Sequence, residues 1–153
     1  MRVGEAMSYH VRGPPVDVPG APGAGYNGPV PMLKRLYWIN AALLATHEVD
    51  SAYWKEWRVF HLPFGLGGFV LLHIGLFLLA FWGYEQVVRG NRAGLWASEV
   101  LASGGVFALV AHGTLLLQGG TEFRVPVSIS LLAAIGAVSI VQVSAAARAL
   151  RRA

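Results

Sequence analysis

Four apolar runs of about twenty residues each decide what this chain can fold into. They cover about 33–54, 64–84, 95–117 and 127–147. At 1.5 Å rise per residue each reaches roughly 30 Å, the thickness of a bilayer's hydrocarbon core. Lipid offers backbone groups no hydrogen bonds, so only helices and closed barrels can cross it. These runs are too long and too continuous for barrel strands. The expectation is an all-α polytopic membrane protein, a four-helix transmembrane bundle spanning residues 32–150. Composition agrees: charged residues are 13% of the chain, about half the usual share of a soluble domain. A water-soluble monomer is excluded, and the formal charge of +4 reads as membrane topology rather than nucleic-acid binding. The chain has no cysteine, which removes disulfides, thiolate metal sites and iron–sulfur clusters.

Residues 1–31 differ from the rest. Six of the eight prolines lie there and no apolar period is present, so the stretch reads as a disordered tail. It lacks the apolar region of a signal peptide. Met32, opening Met32-Leu33-Lys34-Arg35, looks like a natural start, and Met32 or Met7 is expected to be the initiator. Further along, Pro63 and Pro126 open the second and fourth spans, where a helix tolerates proline. Arg89-Gly90-Asn91-Arg92 reads as a turn, and Gly119-Gly120 ends the third span. Tyr37, Trp38, Tyr53, Trp54, Trp57, Trp82, Tyr84 and Trp96 sit at span ends, as interfacial belts do. With four spans both termini and the central loop share one side. That side holds Arg2, Arg12, Lys34, Arg35, Arg89, Arg92, Arg148, Arg151 and Arg152, against Lys55, Arg58 and Arg124 opposite. The imbalance places both termini in the cytoplasm and the chain in the cell inner (cytoplasmic) membrane.

Ionisable groups inside spans are costly and are functional candidates by default. His47, Glu48 and Asp50 lie in the first span, His73 in the second and His112 in the third. Counted from the span ends, the three histidines share a depth of roughly 9–14 Å below the outer interface. One imidazole from each of three helices can therefore converge. At 100° per residue Asp50 lies about 60° from His47 on the wheel and Glu48 about 100° away on the other side. Asn40, His47, Asp50 and Trp54 form one stripe. His47 and one acid can share a target, but all three residues cannot. His47-Glu48-Val49-Asp50-Ser51 is not the zincin pattern, because Ser51 stands where a second histidine would be needed.

These residues admit several chemistries. Three imidazoles and a carboxylate suit Zn²⁺, Fe²⁺ or Mn²⁺, with His47, His73 and His112 as metal ligands and Glu48 or Asp50 as a catalytic base or orienting group. His73 and His112 could instead ligate a b-type haem, though the acids beside His47 suit no haem pocket. The same groups could simply hold the bundle together by hydrogen bonds, or pass protons. Glu56 and His61 in the first outer loop and Glu122 in the second either line a mouth above the site or are solvated. Glu99 lies at the other end of its span, within reach of headgroups, and His10 lies in the tail. Gly65, Gly67, Gly68, Gly75, Gly104 and Gly105 read as positions of close helix approach, and the small residues of the fourth span as a bundle wall or dimer face.

Residues 36–57, with the segment His-Glu-x-Asp-Ser-Ala-Tyr-Trp-x-Glu-Trp at its heart, followed by Leu62-Pro63, Gly67 and a span carrying His73, resemble a family of uncharacterised small bacterial membrane proteins. The resemblance covers about Met32 to Ala147. It implies a domain of unknown function with four helices, and it brings no activity with it.

Three functions stay open at this point. One is a metal-dependent membrane enzyme acting on a lipid or other apolar substrate. Another is an accessory or assembly subunit with a structural polar core, in a homo-oligomer or larger membrane complex. The third is a proton or ion conductor, against which stand the almost wholly apolar inner halves of the second and fourth spans.

Overall fold

The structure, a computed structural model, describes residues 30–153. The reading of residues 1–31 as a disordered tail therefore lies almost entirely outside it, as does His10. Among the described residues the fold is all-helical. It has five helices, four of them long: α1 Val30–Tyr53, α2 Glu56–Val59, α3 Gly65–Arg89, α4 Arg92–Leu117 and α5 Pro126–Leu150. The one-turn helix α2 was not expected. α3 also runs five residues past its anticipated end at Tyr84.

The turns follow the residues that make them. Gly90 takes the left-handed conformation that ends α3, at φ 65°. Asn91 then caps α4, its side chain accepting from the Gly94 N–H at 2.9 Å. Pro126 stands in the first turn of α5, where its missing N–H costs nothing. α5 packs on α4 and α1, and α3 packs on α4 and α1. One end of the bundle carries α2 and the α4–α5 loop. The other carries the start of α1, the α3–α4 turn and the end of α5, and is basic.

Three helices, α3, α4 and α5, are long and apolar enough to cross a membrane. α1 falls short because Lys34, Arg35, Glu48 and Asp50 lie in it. In α3 only 6% of the apolar window is buried inside the molecule, against 39% in α5. Leu71, Leu78 and Phe81 stand open on its surface. So much apolar area cannot face water, and it fits a lipid surround.

Three glycines set the helix spacing. A Cβ on Gly83 would overlap the Tyr37 hydroxyl of α1, one on Gly105 would overlap Ser139 Oγ of α5, and one on Gly136 would crowd Leu109 of α4. Gly105 was anticipated. Gly67, Gly75 and Gly104 were assigned the same role, yet nothing lies within 4 Å of a Cβ built on them. They face outward, where close approach has no partner.

Polar side chains fill the middle of the bundle. Asn40 Nδ2 donates to Gln142 Oε1 at 2.8 Å and to Ser139 Oγ at 3.0 Å. Gln142 Nε2 donates to Ser98 Oγ at 2.9 Å and to the Ser98 carbonyl at 3.1 Å. All four residues are completely buried. The network ties α1 to α5 and α5 to α4.

Candidate metal centre

The α2 end is shaped by a break in α1. The helix stops at Tyr53, and Lys55 turns left-handed at φ 57° before the single turn of α2. That reversal brings Glu56 back against the bundle. Glu56, His47 of α1 and His112 of α4 each offer a ligand atom, and the three atoms lie within 4.8 Å of one another. The same three residues share a second feature. His47 Nδ1, Glu56 Oε2 and His112 Nε2 are all buried and have no hydrogen-bond partner among the described residues. Glu48, Asp50, Ser51 and Glu99 also carry such atoms, but His47, Glu56 and His112 are the three that group closely enough to hold a metal ion.

His112 is oriented for that role. Its Nδ1 lies 2.9 Å from the Ala108 carbonyl one turn back. The carbonyl can only accept, so Nδ1 carries the hydrogen and Nε2 keeps its lone pair. Nε2 stands 3.8 Å from Glu56 Oε2, room for a small cation rather than a direct bond. Burial alone would raise the Glu56 pKa, but the neighbouring His112 imidazole and Ser51 hydroxyl outweigh it and hold the carboxyl below its ordinary value. It is an anion at neutral pH.

Aromatic rings wall the centre. Phe123, in the α4–α5 loop, is completely buried. Its ring meets His112 edge to face at 4.4 Å between centroids, and lies 6.3 Å from His47 and 6.1 Å from Trp54. Phe60 covers His112 from the other loop, at 5.5 Å. The four described non-glycine residues with positive φ are Lys55, His61, Phe64 and Phe123. All lie in the two connections around the centre. A non-glycine residue in that conformation costs on the order of 1 kcal/mol, so tertiary contacts hold these connections in place.

The other anticipated residues lie nearby in different company. His73 of α3 and Glu48 of α1 contact each other through Nε2 and Oε2. His73 is anchored as His112 is, with Nδ1 2.6 Å from the Phe69 carbonyl. Asp50 turns the other way: Ser128 Oγ of α5 donates to its Oδ1 at 2.8 Å, and Trp54 Nε1 lies 3.4 Å from the same hydroxyl. The stripe Asn40–His47–Asp50–Trp54 is therefore real, and three of its four members bond to α5. His61 is exposed and outside the group, and Glu122 accepts from the Thr121 N–H. Glu99 is partly buried near the basic end, away from the cluster.

Glu56 is the residue the sequence reading weighed too lightly. The available signal was its setting, Trp54-Lys55-Glu56-Trp57, a single acid between two large aromatics. Such flanks keep a loop at the interface rather than in open water.

Residues 33–149 match a family described as a family of unknown function, DUF6713. No curated protein and no solved structure matches the chain.

Proposed function

The chain belongs to the family of unknown function DUF6713, and from the site itself we propose that it is a membrane-embedded protein holding a divalent metal on His47, Glu56 and His112. The observation that carries this reading is the group of two histidines and a glutamate whose ligand atoms lie within 4.8 Å of one another, each residue also carrying a buried polar atom without a partner. Two nitrogens and one carboxylate oxygen suit Zn²⁺, Fe²⁺ or Mn²⁺. They suit a haem poorly, because the free nitrogens of His73 and His112 are each aimed at a glutamate. Three protein ligands leave a coordination position open, as in catalytic rather than structural zinc sites. A metal held there supplies Lewis acidity toward an oxygen-bearing substrate. The chain's own residues bind the ion, orient it through the Ala108 carbonyl, and exclude water with Phe60 and Phe123. The apolar surround favours a lipid or other apolar substrate.

In this reading α1 is a fourth span. Its polar side chains within the bundle turn to protein: Asn40 to α5, Asp50 Oδ1 to Ser128, and Glu48 to His73. The basic end then faces the cytoplasm and both termini lie there. A purely structural role for the histidines is less economical, since the Asn40–Ser139–Gln142–Ser98 network already clamps the helices and does not involve them. Proton conduction is opposed by the same network, whose two amides neither take up nor release protons in ordinary conditions.

The test is elemental mass spectrometry on the full chain purified in detergent. Near one equivalent of metal is expected in the wild type and in His73→Ala, with loss in His112→Ala and Glu56→Gln. Folded wild type that takes up no zinc, iron(II) or manganese after reconstitution would overturn the proposal.

A further inference from the structure

We propose a second binding site at the basic end, a cleft that holds the phosphate of an anionic phospholipid between α1 and α3. The cleft has a volume of about 530 Å³ and is lined by Pro31, Lys34, Arg35, Trp38, Ile39 and Tyr84. It is built by a close helix crossing. Gly83 admits the buried Tyr37 ring, whose hydroxyl donates to the Ala80 carbonyl at 2.8 Å. That contact fixes how α1 meets α3 and leaves the next residue of each helix, Trp38 and Tyr84, as walls. Lys34 and Trp38 are four residues apart, as are Arg35 and Ile39, so each cation lies one turn below an apolar partner on its own helical face.

Charge and exposure identify the ligand. Lys34 and Arg35 are exposed, and among the described residues neither is within ion-pair distance of a carboxylate. Glu85, the nearest acid in sequence to Tyr84, is engaged by Arg89 at 3.4 Å. Two cations in one cleft, unpaired among the described residues, select an anion, and an arginine beside a lysine suits phosphate oxygens. Trp38 is 62% exposed and Ile39 42% exposed, one turn further toward the bundle middle. An acyl chain would cover them, whereas a free phosphate would gain nothing from them. Basic pockets beside aromatic residues at a membrane interface bind lipid headgroups in this way. The site is independent of the metal reading, and lies at the opposite end of the molecule.

The experiment is native mass spectrometry of the full chain in mixed micelles containing equal amounts of dioleoyl phosphatidylglycerol and dioleoyl phosphatidylcholine. The wild type is expected to retain phosphatidylglycerol preferentially. Lys34→Gln/Arg35→Gln should lower that retention roughly thirtyfold, from two near-surface cations removed, and Trp38→Ala should shorten it further. Both cations are exposed, so the double variant keeps its fold, which circular dichroism checks. Equal retention of the two lipids, or a preference that survives the double variant, would refute the site. So would complete displacement of the lipid by millimolar inorganic phosphate, which would mark a site for free phosphate.

Discussion

Two adjacent glycines in α4 should respond to the same substitution with opposite signs. A Cβ on Gly104 meets nothing within 4 Å, whereas one on Gly105 would overlap Ser139 Oγ and press on Ile135 Cγ2 at 3.1 Å and Ser139 Cβ at 3.2 Å. Gly104→Ala therefore gains only helix propensity, about 0.5–1 kcal/mol. Gly105→Ala gains the same and must also push α5 away. Overpacking costs about 1–3 kcal/mol. Displacing Ser139 also strains its bond to Asn40, worth roughly 0.6 kcal/mol for a bond within a membrane bundle. The net for Gly105→Ala is a loss of about 1–3 kcal/mol. At about 2–4 °C per kcal/mol for a chain of this size, its midpoint should fall by roughly 2–12 °C, while that of Gly104→Ala rises by up to about 4 °C. Thermal unfolding of the detergent-purified chain, followed by circular dichroism, measures both. The cause can be isolated with Ser139→Ala, which removes the overlapping oxygen. The double variant Gly105→Ala/Ser139→Ala should be more stable than the two single losses added together. Equal midpoints for Gly104→Ala and Gly105→Ala would refute the helix spacing from which all of this follows.

Three further outcomes are expected. Asn40→Leu removes the bonds to Gln142 and Ser139 at 2.8 and 3.0 Å; it should lower stability by about 1–3 kcal/mol in the same unfolding assay and leave the metal content unchanged. Phe123→Ala removes the buried ring over His112; it should cost about 3 kcal/mol or more and speed the loss of bound metal to a chelator, followed by the same elemental analysis. A proton and a metal compete for the same imidazole lone pair, so affinity should fall as pH drops from 8 to 5. Glu56, held below its ordinary carboxyl value, stays ionised throughout that window and adds no proton to it. A metal-binding titration from pH 8 to pH 5 should therefore show affinity falling with pH, and an affinity independent of pH would refute imidazole ligation.

The all-helical, membrane-type character was legible in α3, α4 and α5, whose apolar signal is long, whereas α1 falls short of it and α2 gave no signal. A twenty-residue apolar run admits few structures in lipid, and Gly90, Asn91 and Pro126 mark the turns with residues whose backbone chemistry leaves little choice. The site was half legible. Depth counting expected His47, His73 and His112 to converge, and the rings of His47 and His112 do lie 4.7 Å apart between centroids, since helical rise is fixed. It could not say which carboxylate completes the group, because that depends on where α1 stops. The sequence reading carried α1 through to Trp54 and left Glu56 in a loop. The helix actually breaks at Tyr53, and a left-handed Lys55 folds the next turn back. Lysine gives no warning of a positive φ, which tertiary contacts impose at a cost that no local propensity records. His73 has the depth of the other two histidines, but α3 packs chiefly on α4 and α1, and its imidazole meets Glu48 instead.

The polar residues of α1 divide by angle, and that division explains why one helix serves two purposes. Asn40, Asp50 and Trp54 lie on the side that meets α5, and each spends its hydrogen bonds there. Glu48, about 100° from His47 on the wheel, meets α3. His47 lies between these directions and is 2% exposed, with its Nδ1 unpartnered. Neither interface uses its Nδ1; its ring packs instead against His112 and Phe123, at 4.7 and 6.3 Å between centroids. Burying an imidazole whose nitrogen bonds to nothing is unfavourable by about 1–3 kcal/mol. Under the proposed function, His47 is explained by the group it forms with Glu56 and His112, a group able to hold a cation.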